Sequence, residues 1–280
     1  MTKYYNIHKQ QLFHWTGSDI EKLDHNKDYH ESYVKRLEET LKNGLWLRVP
    51  EIPDQLNNKS MIKVQRPIVC FTEWSLNDSI SHTKKYGKLG FGFSKRFILQ
   101  SGGQPVSYVK GQKNDPYTKS LEELAKFFND KKNYDSSDVD FEKAKKDFEY
   151  IAHFAKRIKF TSDVRPAAKK NKITVKTRIK REVDPFKRRF GQILQYLEER
   201  EWRIVYDNYL AKKINLSQKS KTGKESYYLP FVSGSDLFTV VLPDNRTVKL
   251  AQQVESIRKI LFPEDRPHVT ILSLEDIGTF

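Results

Sequence analysis

Residues 89–93 read Leu-Gly-Phe-Gly-Phe, and few folds accept that pattern. In a strand, alternate side chains point to opposite faces, so Leu89, Phe91 and Phe93 share one face and Gly90 and Gly92 leave the other bare. A bare strand face marks the close approach of a ligand or of other packed protein, and the pattern does not choose between them. This segment reads as a strand with one apolar face.

Further strands surround it. Residues 11–15 form a short strand that breaks at Thr16-Gly17-Ser18-Asp19, where Ser18 suits a helix N-cap. Residues 67–72, 202–206, 238–242 and 268–272 also read as strands, and Cys70 reads as a core residue rather than a nucleophile. Residues 209–216 and 227–231 flank Lys221-Thr222-Gly223, which predicts a hairpin. A helix is expected over 30–42, where Tyr33, Leu37 and Leu41 recur every fourth residue before Asn43-Gly44. Another is expected over 248–261.

The middle is helical. Leu121, Leu124, Phe127 and Phe128 form one stripe, and Phe141, Ala144, Phe148, Ile151, Ala155 and Ile158 form a second, so both should face a core. Strands outnumber helices without regular alternation, which argues for an α+β fold rather than a doubly wound sheet. We therefore expect one α+β domain over 1–280, with a helical insertion at about 117–160 and a basic strand-bearing segment at about 165–190.

The formal net charge is +15, which favours polyanionic partners. Residues 165–189 hold eleven Lys or Arg against Glu182 and Asp184, nine of the fifteen surplus charges. Within them Ile173, Val175, Thr177 and Ile179 alternate with polar residues, giving a half-buried strand with a basic outer face. Lys176, Arg178, Lys180 and Arg181 are the candidates for contact with nucleic acid or a partner protein, unless they only protect a sheet edge.

Several classes are disfavoured. The single cysteine excludes an internal disulfide and a multi-cysteine zinc site. No two of the seven histidines have zinc-site spacing, so no metal is expected. The sequence lacks a Gly-x-Gly-x-x-Gly motif and a phosphate loop. Without a signal peptide or a membrane-length apolar stretch, the expected location is the cytoplasm.

Two places can carry chemistry. His14 stands where an apolar strand meets a polar turn, as a ligand contact or as a hydrogen-bonded core histidine. In Glu201-Trp202-Arg203, Glu201 and Arg203 share the face opposite Trp202, and a carboxylate beside arginines stays ionised. It could bond a ribose hydroxyl, or belong to a surface ion-pair run.

Some segments resemble the abortive-infection AbiGi family: residues 12–16 (Leu-Phe-His-Trp-Thr), 41–45, 67–73, 82–95, 105–108 and 199–203, in order along most of the chain. Residues 86–95 are the most specific. That resemblance implies a prokaryotic antiphage protein, a family that carries the label antitoxin. The opening "His-aromatic-Thr … Leu-x-x-Gly-Leu" is also similar to ADP-ribosyltransferase-like, DarT-type folds. This second likeness implies a split, mostly antiparallel sheet and an NAD cofactor. It implies catalytic roles for His14, Glu201 and Tyr86, with His14, Thr16, Tyr86, Gly90, Gly92 and Arg203 around the cofactor. Cleavage of the nicotinamide–ribose bond builds a cation that one carboxylate can stabilise. The alternative is a non-catalytic antitoxin or regulator that grips nucleic acid or a partner through the basic segment.

Overall fold

The computed structural model describes residues 11–22, 28–49, 66–73, 76, 80–109, 116–129, 139–157, 200–207, 212, 217–220 and 225–277. The chain divides into two compact units, one of Met1–Pro53, Val64–Val106 and Arg200–Phe280, the other of Asp54–Lys63 and Ser107–Glu199. The basic segment, with Lys176, Arg178, Lys180 and Arg181, lies outside the described residues.

The first unit carries β1 (Gln11–Thr16), β2 (Leu45–Leu47), β3 (Ile68–Thr72), β4 (Leu89–Ser94), β5 (Gln104–Pro105), β8 (Glu201–Val205), β9 (Ser217–Ser220), β10 (Glu225–Leu229), β11 (Leu237–Leu242) and β12 (Thr270–Ser273). Seven of these form one sheet in the order β12-β11-β4-β1-β3-β8-β5. Neighbours run antiparallel except β11 and β12, which are parallel. The architecture is α+β with a mostly antiparallel sheet. The short β2, β10 and β9 make a second, three-stranded sheet in that order. On either side of Lys221-Thr222-Gly223, β9 and β10 pair antiparallel, as expected of a hairpin, while the expected first strand at 209–216 lies outside the described residues except for residue 212.

Register assigns the faces of the large sheet. On one face Leu12, Phe71, Phe91, Phe93, Ile204, Val240 and Leu242 are buried with Tyr33 and Leu37 of α1 (Asp28–Asn43). Burying each such side chain contributes about 1.5–3 kcal/mol, so this layer dominates the unit's stability. Helix α1 stops at Gly44, whose φ of +93° and contact with the Leu229 carbonyl admit no side chain. The other face holds a smaller cluster of Phe13, Trp15 and Val241 with Ile277, and Tyr86 packs against it from α2 (Ile80–Tyr86). Helix α3 (Lys95–Gln100) follows β4 directly, with the Ser94 hydroxyl accepting from the Phe97 amide.

A polar knot ties the turn after β1 to α1 and β4. Tyr33 and Tyr29 donate to Glu21 at 2.6 and 2.9 Å, and Lys88 pairs with it at 2.9 Å. Burial alone would raise the Glu21 pKa, but these partners together hold it below the usual value. The apolar stripe expected over 248–261 is two helices, Asn245–Gln253 and Glu255–Leu261, broken at Val254, whose ψ of 111° is extended.

The second unit contains α4 (Pro116–Asn129) and α5 (Val139–Ala152), packed through Leu121, Ala125 and Phe148. The helical stripe expected to reach Ile158 stops at Ala152. Residues of β7 (Ala155–Arg157) instead pair in parallel with β6 (Ser107–Val109), and the Phe154 carbonyl accepts from the Ser107 amide at 2.7 Å. A nonlocal partner for the backbone outweighs local periodicity here. Leu124, Phe127 and Ile151, expected in the core, are exposed.

Candidate functional site

His14 sits mid-strand in β1, between β3 and β4. Its Nδ1–H donates to the Cys70 carbonyl at 2.9 Å, a bond that fixes the ring and its tautomer. The side chain keeps some exposed surface, yet burial is the larger influence and holds the imidazole pKa below its ordinary value, against the Cys70 bond that raises it. The ring lies 5.9 Å from that of Phe71, so it belongs to the large apolar face. Thr16, two residues on, occupies the same side of β1. Cys70 itself is partly exposed rather than fully buried.

Glu201 and Arg203 occupy the opposite side. Phe13 pairs with Thr72 and Thr72 with Glu201, which puts Glu201 on the face of Phe13 and not on that of its neighbour His14. Arg203 Nε donates to Glu201 Oε1 at 2.7 Å, and the two residues are only 4% and 9% exposed. The i, i+2 spacing places both side chains on one strand face, as the alternation of β8 predicts. The result is a buried ion pair, not a surface charge run.

The room left by Gly90 and Gly92 is filled by protein. A Cβ on Gly90 would stand 2.6 Å from the Trp15 ring, and one on Gly92 would stand 2.5 Å from Gln11 Oε1 and 2.8 Å from the Phe13 ring. Trp15 and Phe13 stack on each other at 6.0 Å across this glycine face. Of the two uses for a bare strand face, packing is the one observed. Tyr86 packs beside these rings, stacks with His82 at 5.8 Å and has the Lys85 ammonium 4.8 Å over its ring. Tyr86, Gly90, Gly92, Glu201 and Arg203 thus share one side of the sheet, while His14 and Thr16 are on the other.

Sequence reading passed over the carboxylate on the His14 side. Glu73 pairs with Lys95 at 2.8 Å and accepts from the Trp202 indole at 3.3 Å, and Lys95 lies 4.7 Å over that indole. Burial works against the charge, but Lys95 and Trp202 prevail and lower the Glu73 pKa. Its only sequence signal is a position just after an apolar strand. Among the described residues no group of three or more His, Cys, Asp or Glu could hold a metal ion. Among the same residues no helix is long and apolar enough to cross a membrane.

The curated proteins and the solved structures yield no match. A family model described as "Putative abortive phage resistance protein AbiGi, antitoxin" matches residues 48–229. That stretch contains Tyr86, both strand glycines, Glu201, Arg203 and the basic segment, and leaves β1 with His14 outside it. The match covers more than half of the sequence, and the chain belongs to the AbiGi family of abortive phage resistance proteins.

Proposed function

We propose that this chain acts in phage defence as a non-catalytic, antitoxin-type protein whose partner is a toxin. The observation that carries this reading is the division of the candidate residues between two sides of one sheet. His14 is held through Nδ1 on the Cys70 carbonyl on one side, and Glu201 accepts from Arg203 on the other. The family description supplies the antitoxin role. The net charge of +15 favours an acidic partner surface, with Lys176, Arg178, Lys180 and Arg181 as the contact.

The competing reading is NAD-dependent ADP-ribosyl transfer on an ADP-ribosyltransferase-like fold. It needs His14, Tyr86 and Glu201 around one bound dinucleotide, and the sheet register argues against that arrangement.

The test uses purified full-length protein with labelled NAD and phage-infected lysate, together with its expression in growing cells. The expected result is harmless expression, no NAD loss and no label transfer. NAD consumption that Glu201→Gln abolishes without unfolding the protein would sink the proposal. A toxin co-expressed with the chain should be neutralised, and charge reversal at Lys176, Arg178 and Lys180 should weaken that protection.

A further inference from the structure

The outer face of the three-stranded sheet is unlike the rest of the surface. Leu45, Leu47 and Leu229 point into the core and are 1–2% exposed, so alternate residues point outward. These include Trp46, at 48% exposure the most exposed large hydrophobic residue of β2, and Arg48, whose guanidinium sits 4.9 Å from the Trp46 ring centroid. Tyr228, partly exposed, lies directly across from Trp46, and Ser226 follows on the same side of β10. Register aligns Ser217 of β9 with Tyr228, and Lys219 with Ser226. None of Trp46, Arg48, Tyr228 and Ser226 is acidic. Asp19 is close enough for Arg48 to help depress its pKa, but its main influence is Arg36, which pairs with it at 2.6 Å.

Two neighbouring aromatics on a partly exposed sheet face, edged by a cation, match the chemistry that holds unpaired bases. Flat rings stack with any base, cations meet the backbone phosphates, and hydroxyls reach sugar and phosphate oxygens. A core-facing role does not account for a half-exposed tryptophan. The net charge of +15 supplies the long-range attraction.

We infer that the Trp46–Arg48–Tyr228 face binds single-stranded nucleic acid by base stacking. This goes beyond toxin binding and places the stacking outside the basic segment, so variants of Trp46 test it separately from toxin binding.

The experiment titrates full-length protein into fluorescently labelled 20-nucleotide oligo-dT and oligo-U, with a 20-base-pair duplex as comparison. Single strands should bind more tightly than the duplex. Trp46→Ala should weaken binding by about 5- to 150-fold, the loss of one stacked base, while Trp46→Phe restores most of it. Trp46→Ala should leave the salt slope unchanged, whereas Arg48→Ala should flatten it by about 0.7, one phosphate contact. Ultraviolet crosslinking of wild type should join oligo-dT to the peptides carrying Trp46 or Tyr228, a readout that does not depend on any variant folding. Wild-type affinity in a folded Trp46→Ala, or crosslinks confined to other peptides, would overturn the inference. So would a Trp46→Ala that loses a protein partner while holding oligonucleotide normally.

Discussion

Replacing Glu201 by Met removes one member of a pair held at 2.7 Å with exposures of 9% and 4%. The charge of Arg203 then stays buried without the carboxylate. Removing one partner of a buried ion pair costs about 3–5 kcal/mol, mostly desolvation that the lost Coulomb attraction no longer offsets. For a unit of this size each kcal/mol moves the melting temperature by about 2–4 °C, so the expected fall is roughly 6–20 °C. The double variant Glu201→Met with Arg203→Leu buries no charge and should recover most of that loss. The assay is thermal and urea unfolding of wild type, both single variants and the double variant, read as a double-mutant cycle. The reasoning is refuted if Glu201→Met melts with wild type or above it. A neutral or stabilising result is what a carboxylate kept for chemistry would give, since active-site charges are often held at a cost in stability. The same variants therefore separate a structural Glu201 from a catalytic one.

Two further outcomes follow from the same geometry. Because the folded pKa of His14 lies below its unfolded value of about 6.5, its contribution to stability is complete above that pH. It is lost as pH falls from there toward the folded value, so melting temperature should drop on acidification from pH 7.5 to 5, and less so in His14→Gln. Gly90→Ala should destabilise by about 1–3 kcal/mol in urea titrations, since its methyl meets the Trp15 ring at 2.6 Å, and an unchanged midpoint would show that the ring moves aside.

Much of the fold was legible from local pattern. Strands β1, β3, β4, β8 and β11 and helix α1 follow from period-two and every-fourth-residue spacing. The failures are places where a distant partner intervened. Ala155 continues a helical stripe but lies in β7, because 107–109 offers it a backbone ladder. Leu124 and Phe127 read as core and are exposed, because the helical pair buries only part of its apolar surface.

For the candidate site the division is sharper. Sequence alone determined that Glu201 and Arg203 share a face opposite Trp202, since alternation within a strand needs no partner. It also determined that something must lie close to Gly90 and Gly92. Tertiary structure alone decided that this something is Trp15 and Phe13, and that His14 and Glu201 back onto opposite sides of the sheet. The physical reason is register. Side chains in a strand repeat every two residues, so a slip of one residue in the β1–β3 or β3–β8 pairing would put His14 and Glu201 on the same side. Only the long-range pairing of Phe13 with Thr72, and of Thr72 with Glu201, excludes that slip.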